Sequence, residues 1–104
     1  MSFLVKEGNT LFVTLPGEID HHQVHTLAGQ IDEAILEGEP EELVFDFSYT
    51  RFMDSSGIGL LIGRYRKLDA MGGKVFLRNV NGQMVRILQL SGIEKLIGKY
   101  EERT

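Results

Sequence analysis

Residues 43–73 read LVFDFSYTRFMDSSGIGLLIGRYRKLDAMGG, in which an apolar run, a polar connection and a helical pattern follow one another. The run at 43–47 is almost continuously apolar, as is typical of a central strand in a sheet that helices cover. The helical pattern spans 56–71, and its apolar stripe is formed by Ile58, Leu61, Ile62, Tyr65 and Leu68. The glycines at 72 and 73 predict its end, because glycine accepts a left-handed turn at low cost.

The sequence on both sides of this unit alternates in the same way. The other predicted strands are at 3–6, 10–16, 75–77 and 95–99, and the other predicted helices are at 20–38 and 81–90. Gly8 suits a hairpin turn, Asp20 is the predicted N-cap of the first helix, and Gly38 is its predicted stop. The order β-β-α-β-α-β-α-β implies right-handed crossovers, and therefore an α/β fold with a small, largely parallel sheet.

Length and composition predict a single globular domain over residues 1–104. The chain is 42% apolar and 25% charged, with no cysteine, which excludes disulfides, thiol catalysis and thiolate metal sites. No apolar run approaches the ~20 residues that span a bilayer, and no signal-peptide pattern is present, so we expect a cytoplasmic protein without membrane contact. The net charge of −4 argues against nucleic-acid binding.

Two loops stand where parallel sheets usually form their sites, beyond the carboxyl ends of the strands. They are 17–20 and 51–57, and each leads from a strand into a helix. Glycines at 57, 59 and 63 cost the second helix roughly 1 kcal/mol each relative to alanine. Either close packing on the sheet or a flat surface for a partner would account for them.

Ser55 is the candidate for chemistry in the second loop. Asp54 or Ser55 can cap the following helix, and in most chains such a segment is only a cap. A serine hydrolase is disfavoured because no Gly-x-Ser-x-Gly elbow occurs, and we expect no enzyme activity. Phosphorylation of Ser55 is compatible with the helix amides and would add about −1.5 to −2 charges beside Asp54, altering binding without unfolding the domain.

Three histidines, at 21, 22 and 25, raise the question of a metal site. Their i+3 and i+4 spacings are helical, but no acidic residue follows at the spacing of a zinc protease. We therefore expect no metal and no cofactor, and interpret the histidines as solvated or partner-facing.

The motif FMDSSGIG at 52–59, followed by LLIGRY at 60–65, closely resembles the phosphorylation segment of bacterial anti-sigma factor antagonists. GEIDHH at 17–22 is similar to the sporulation branch of that family, and Ser-Gly-Ile at 91–93 matches a turn of the family. The resemblance covers nearly the whole chain. It implies a STAS fold, a small mixed sheet with helices packed mainly on one side.

The resemblance also implies a function. In this family the unphosphorylated antagonist binds an anti-sigma factor that is also an ATP-dependent serine kinase, and thereby frees a sigma factor. Phosphorylation of the antagonist ends binding, and a PP2C-type phosphatase reverses it. By motif matching, Ser55 is the phosphoacceptor, and the residues expected to contact the partner are Asp20, His22, Asp54, Ser56, Gly57, Ile58 and Arg64. We expect a monomer when the protein is free.

One departure and two alternatives accompany this resemblance. Relatives carry a further helix after the last strand, whereas this sequence ends at 101–104, so we expect that helix to be absent. A STAS protein with another task, such as a general-stress antagonist, a scaffold or a transporter-associated subunit, is the second hypothesis. A small enzyme or nucleotide-binding domain is the third, although no glycine-rich phosphate loop with a lysine is present.

Overall fold

The computed structural model describes residues 3–101. Its strands are β1 (Leu4–Glu7), β2 (Thr10–Thr14), β3 (Glu18–Ile19), β4 (Glu42–Asp46), β5 (Phe52–Met53), β6 (Lys74–Arg78) and β7 (Gly98–Lys99). Its helices are α1 (His21–Gly38), α2 (Ser55–Ala70) and α3 (Gly82–Ser91), with a 3-10 turn at Ile93–Lys95. The ends of the expected domain, residues 1, 2 and 102–104, and the expected absence of a final helix lie outside the described residues.

The main sheet has the order β1-β2-β4-β6-β7. The first pair is antiparallel, as expected of a hairpin that turns at Gly8, and the three remaining pairs are parallel. Gly8 itself has φ +58, a left-handed conformation that glycine adopts without strain. The expectation of a small mixed, largely parallel sheet is confirmed, and β4 is its central strand.

The helices bury one face of this sheet. Alternate side chains of β2, β4 and β6 point to that face and join the apolar stripes of the helices in one buried cluster, which includes Val13, Phe45, Leu77, Ile31, Leu61 and Leu88. On the opposite face Phe12, Val44 and Phe76 stand in register across the three strands. The ring of Tyr100 lies edge-on to Phe12 and Phe76, at centroid distances of 5.7 and 5.9 Å.

Several element boundaries differ from the sequence-based expectation. Gly38 is the last helical residue of α1, and it is Glu39 that takes the left-handed conformation, with φ 44. The last strand, expected at 95–99, is shortened to Gly98–Lys99 because the 3-10 turn occupies the residues before it. The two-residue strands β3 and β5 were not predicted, and they pair with each other in a second, parallel sheet.

Asp46 interrupts the apolar pattern of β4 and is buried, with 6% of its surface exposed. Burial alone would raise the pKa of its carboxyl group. Hydrogen bonds from the Ser48 hydroxyl and amide (2.5 and 2.8 Å), and from Arg78 and Asn79, outweigh burial and hold the pKa below its usual value. The buried carboxylate therefore ties the end of β4 to the end of β6 and to the connection that leads to β5.

Candidate functional site

The β3–β5 pairing brings the two candidate loops together. The Arg51 amide donates to the Gly17 carbonyl at 2.7 Å, and the Asp54 amide donates to the Ile19 carbonyl at 3.1 Å. Because β3 runs directly into α1 and β5 runs into α2, this short ladder sets the first turns of the two helices side by side. The expectation that both loops lie at one edge of the sheet is confirmed.

Each of these helices begins at an aspartate. Asp20 Oδ1 accepts from the amides of His22 and Gln23 at 2.9 and 3.2 Å, as expected for an N-cap. Asp54 Oδ1 accepts from the amides of Ser56 and Gly57 at 2.9 and 3.3 Å. Asp54 is therefore the cap of α2, and Ser55 is the first helical residue.

The two adjacent serines have different environments. The Ser56 hydroxyl donates to the same Asp54 oxygen that caps the helix, and the residue is half-buried. The Ser55 side chain is exposed, and its hydroxyl makes no hydrogen bond within residues 3–101. A reagent that approaches from solvent therefore finds the hydroxyl of Ser55 free, whereas that of Ser56 is occupied.

The Asp54 carboxylate is held in its charged form. The hydrogen bond from the Ser56 hydroxyl lowers the pKa of Asp54; burial opposes this, and the backbone amides of Ser56, Gly57 and His21 add to it. Its second oxygen, Oδ2, lies 4.0 Å from His21 Nδ1. The imidazole rings of His21 and His22 lie 3.9 Å apart between centroids at the start of α1.

Gly57 is required by packing. A Cβ at this position would lie 2.3 Å from Met53 Cγ and 3.1 Å from Ile19 Cγ2, so a side chain would push α2 off the β3–β5 ladder. At Gly59 and Gly63 an added Cβ would meet nothing else in residues 3–101 within 4 Å, apart from its chain neighbours and the nearby backbone of its own helix. Close packing thus explains the first of the three glycines, and the other two leave bare helix backbone at the surface of α2.

The remaining residues expected to contact a partner are distributed unevenly. His22 is exposed beside the two caps, and Ile58 is half-buried against the core. Arg64 stands apart from this group, about 13 Å further along α2 at the helical rise per residue. Its Nε lies 3.0 Å from Asp32 Oδ1 of α1, without hydrogen-bond alignment, and its side chain is 12% exposed.

Sequence reasoning missed two aromatic residues next to the site. Tyr49 and Phe52 are 68% and 49% exposed, on the connection before β5 and on β5 itself. Single aromatic residues in a loop follow no period, so the sequence carries no signal that separates them from core residues. Their exposure adds aromatic surface to the segment that leads into α2.

Two other features, a metal-ligand cluster and a membrane-spanning helix, are absent from the described part of the chain. Within residues 3–101 no group of three or more histidine, cysteine, aspartate or glutamate side chains is placed to hold a metal ion. None of the helices in that range combines the length and the apolar character needed to cross a bilayer.

Comparison with known proteins gives a consistent family. The model of the STAS domain family matches residues 4–103. The anti-sigma F factor antagonist of Paenibacillus polymyxa is 38% identical over 91 residues, which cover 88% of this chain and 78% of that protein.

Two solved structures of the anti-sigma factor antagonist SpoIIAA are also similar. The unphosphorylated form superposes with a TM-score of 0.82 at 34% identity, covering 95% of this chain and 87% of that one. The phosphorylated form, from Bacillus, gives 0.73 at 35% identity, covering 95% and 90%. These matches confirm the fold and family that the motifs indicate.

Proposed function

The chain belongs to the STAS domain family, and from this membership we propose that it is an anti-sigma factor antagonist of the sporulation branch. Its unphosphorylated form binds an anti-sigma factor that is also a serine kinase, and this binding releases a sporulation sigma factor. The similarity to the anti-sigma F factor antagonist and to both forms of SpoIIAA supports the proposal. In this proposal the protein works in the cytoplasm as a single domain, monomeric when free, and acts by binding rather than by catalysis.

The switch in this proposal is phosphorylation of Ser55. The supporting observation is the contrast between the free, exposed hydroxyl of Ser55 and the hydroxyl of Ser56, which is held by Asp54. The kinase uses ATP to modify Ser55, and a PP2C-type phosphatase removes the phosphate. The partner surface consists of the paired helix starts, with Asp20, His22, Asp54, Ser56 and Ile58 around Ser55.

Charge explains how the modification ends binding. A phosphate adds about −1.5 to −2 charges at pH 7. Asp54 is already ionised beside Ser55, and Asp20 caps the neighbouring helix, so the added charge falls on an acidic surface. A partner matched to the unmodified surface then meets both repulsion and bulk. The positive end of the helix dipole at the start of α2 tolerates the phosphate locally, so the backbone moves little.

Gly57 and Arg64 have structural roles in this proposal. Gly57 lets α2 approach the β3–β5 ladder, and Arg64 pairs with Asp32 between α1 and α2. Gly57 therefore supports the partner surface from the buried side of α2, and Arg64 supports it from further along the helix, without contacting the partner. Gly59, with bare backbone at the surface of α2, takes the place of Gly57 as the glycine that a partner can approach.

The test is intact mass after incubation with ATP and the cognate anti-sigma kinase. We expect wild type to gain one phosphate and Ser55→Ala to gain none. Ser56→Ala is the matched control, since it removes the neighbouring hydroxyl and leaves Ser55 in place, and it should still be modified. Phosphate on Ser55→Ala would contradict the assignment. Unmodified wild type, in the presence of a kinase active on its own antagonist, would favour a STAS protein with another task.

A further inference from the structure

His21, at the start of α1, faces the carboxylate that precedes Ser55. Its Nδ1 lies 4.0 Å from Asp54 Oδ2, across the gap between the starts of α1 and α2. The other oxygen of Asp54 is occupied by two amides and the Ser56 hydroxyl. The carboxylate is therefore oriented, with one side toward its own helix and the other toward His21.

The charges around His21 are mostly acidic. The charged and titratable groups at this end of the molecule are Glu18 of β3, Asp20, His22 and His25 at or near the start of α1, Arg51 before β5, and Asp54 at the start of α2. The side chain of His21 is 71% exposed, so it is free to turn. Imidazole is the side chain that gains or loses a proton near neutral pH, and phosphoserine loses its second proton in the same range.

We propose that, once Ser55 is phosphorylated, the side chain of His21 turns from Asp54 to the phosphoryl group and holds that group as a dianion. His21 is thus a positioning residue of the phosphorylated state. Ser55 follows Asp54 directly and is the first residue of α2, so its phosphoryl group is carried by the same helix start as the carboxylate that His21 already faces. A dianion next to an ionised aspartate needs a nearby cation, and His21 is the group that crosses from the other helix. The inference rests on the proposed function only in taking Ser55 as the phosphoacceptor.

The experiment uses protein in which phosphoserine is encoded at position 55 during translation, so no kinase is required. The phosphate is titrated by ³¹P NMR in wild type, His21→Gln and His21→Lys. We expect the phosphate of His21→Gln to titrate about 0.5 pH unit higher than that of wild type, because a neutral amide does not stabilise the dianion. His21→Lys should titrate at or below wild type, because lysine keeps the positive charge.

His25→Gln is the matched control. His25 is exposed on α1 one turn further on, so its replacement removes an imidazole from the same helix. The phosphate of His25→Gln should titrate at the same pH as that of wild type. Equal titration in wild type, His21→Gln and His21→Lys would overturn the proposal, as would a shift in His25→Gln equal to that in His21→Gln. A failed kinase reaction in the earlier experiment would count against the proposed function and leave this result unaffected.

Discussion

Gly57 and Gly59 are two positions apart on α2, and the structure predicts opposite effects on stability when each is replaced by alanine. At Gly57 an added methyl group would overlap Met53 and crowd Ile19. We therefore expect Gly57→Ala to lower the free energy of unfolding by about 1–3 kcal/mol, the usual cost of overpacking. Gly59→Ala meets open space and should raise it by about 0.5–1 kcal/mol, because alanine favours the helix. Urea denaturation of the two variants measures the contrast.

Gly59 also separates stability from binding. If a partner approaches the bare backbone of α2 there, Gly59→Ala should weaken binding to the anti-sigma kinase at least tenfold while stabilising the fold. Calorimetric titration of the kinase with wild type and with Gly59→Ala measures this change in affinity. Gly29→Ala, at another open glycine on α1, is the control for helix stabilisation. Unchanged affinity of Gly59→Ala would place the contact elsewhere on the site.

Asp46 gives the fold a defined acid sensitivity. Burial would raise its pKa, but hydrogen bonds led by that of Ser48 lower the pKa below the ordinary 3.8. Between the folded and the ordinary pKa the unfolded chain binds more protons, so folding stability falls as the pH drops. The contribution is fully present above about pH 4 and is lost as the pH falls through the lowered pKa.

The variant that tests this is Asp46→Asn. We expect it to lose about 1–3 kcal/mol at neutral pH, because Arg78 and Ser48 lose a charged acceptor. Below pH 4 its stability should fall less steeply than that of wild type in denaturant titrations at several pH values. Asp69→Asn, at an exposed position of α2, is the control. Parallel acid profiles of wild type and Asp46→Asn would exclude the carboxylate as the cause.

At the scale of elements, Asn81 couples α3 to the connection before β5. Its side-chain oxygen caps α3 by accepting from the Met84 amide at 3.0 Å, and its Nδ2 donates to the Thr50 carbonyl at 2.7 Å. Thr50 is fully buried, and its hydroxyl donates to the Pro16 carbonyl at 2.9 Å. A single asparagine thus links a helix start to the two segments that lead into β3 and β5.

Two substitutions separate the cap from the link. Asn81→Ser keeps a capping oxygen but loses the donor to Thr50, whereas Asn81→Ala loses both. We expect Asn81→Ala to cost about 1–2 kcal/mol more than Asn81→Ser in thermal or urea unfolding. Amide exchange of residues 49–53 should speed up in both variants, because both free the Thr50 carbonyl. Slow exchange there in Asn81→Ser would show that the connection is held by other contacts.

The elements that could be predicted from sequence are those with a clear period. The apolar run of β4 is buried as expected. Of the predicted stripe of α2, Leu61 and Leu68 are buried and the other members pack half-buried against the core, whereas Leu60, which the stripe did not include, is buried as well. The strands β3 and β5 have two residues each, too few to show any alternation, and their pairing depends on how the flanking loops converge. The sequence therefore located Ser55 by motif, but the contact between His21 and Asp54 needed the three-dimensional register of those strands.

Within residues 3–101 the main sheet has one face that the helices cover and a second face, here called the open face, on which no helix lies. The helices bury one side of the sheet, and on the other side Tyr100 lies against Phe12 and Phe76. The guanidinium of Arg78 stands 4.4 Å from the centre of the Phe12 ring while it also pairs with Asp46. The sequence alone does not show this in-register row on the second face, because it is visible only when the strands are aligned.

Tyr100 therefore contributes to stability from the open face. We expect Tyr100→Ala to cost about 1–3 kcal/mol in unfolding free energy, because it removes two edge-on aromatic contacts. Tyr49→Ala removes an equally large ring that is 68% exposed and should change stability by less than about 0.5 kcal/mol. Calorimetric melting of the two variants compares them. Equal melting temperatures would mean that the open face contributes little.

The β3–β5 ladder affects how a kinase can recognise Ser55. Its hydroxyl is presented on a helical turn whose position depends on main-chain hydrogen bonds between residues 34 or 35 positions apart in the sequence. A synthetic peptide of residues 50–59 contains the whole motif but lacks the loop at 17–20 that pairs with it. We therefore expect this peptide to be a poor substrate for the kinase. The kinase would then phosphorylate only folded copies of the protein, and a damaged or incompletely synthesised chain would not be modified.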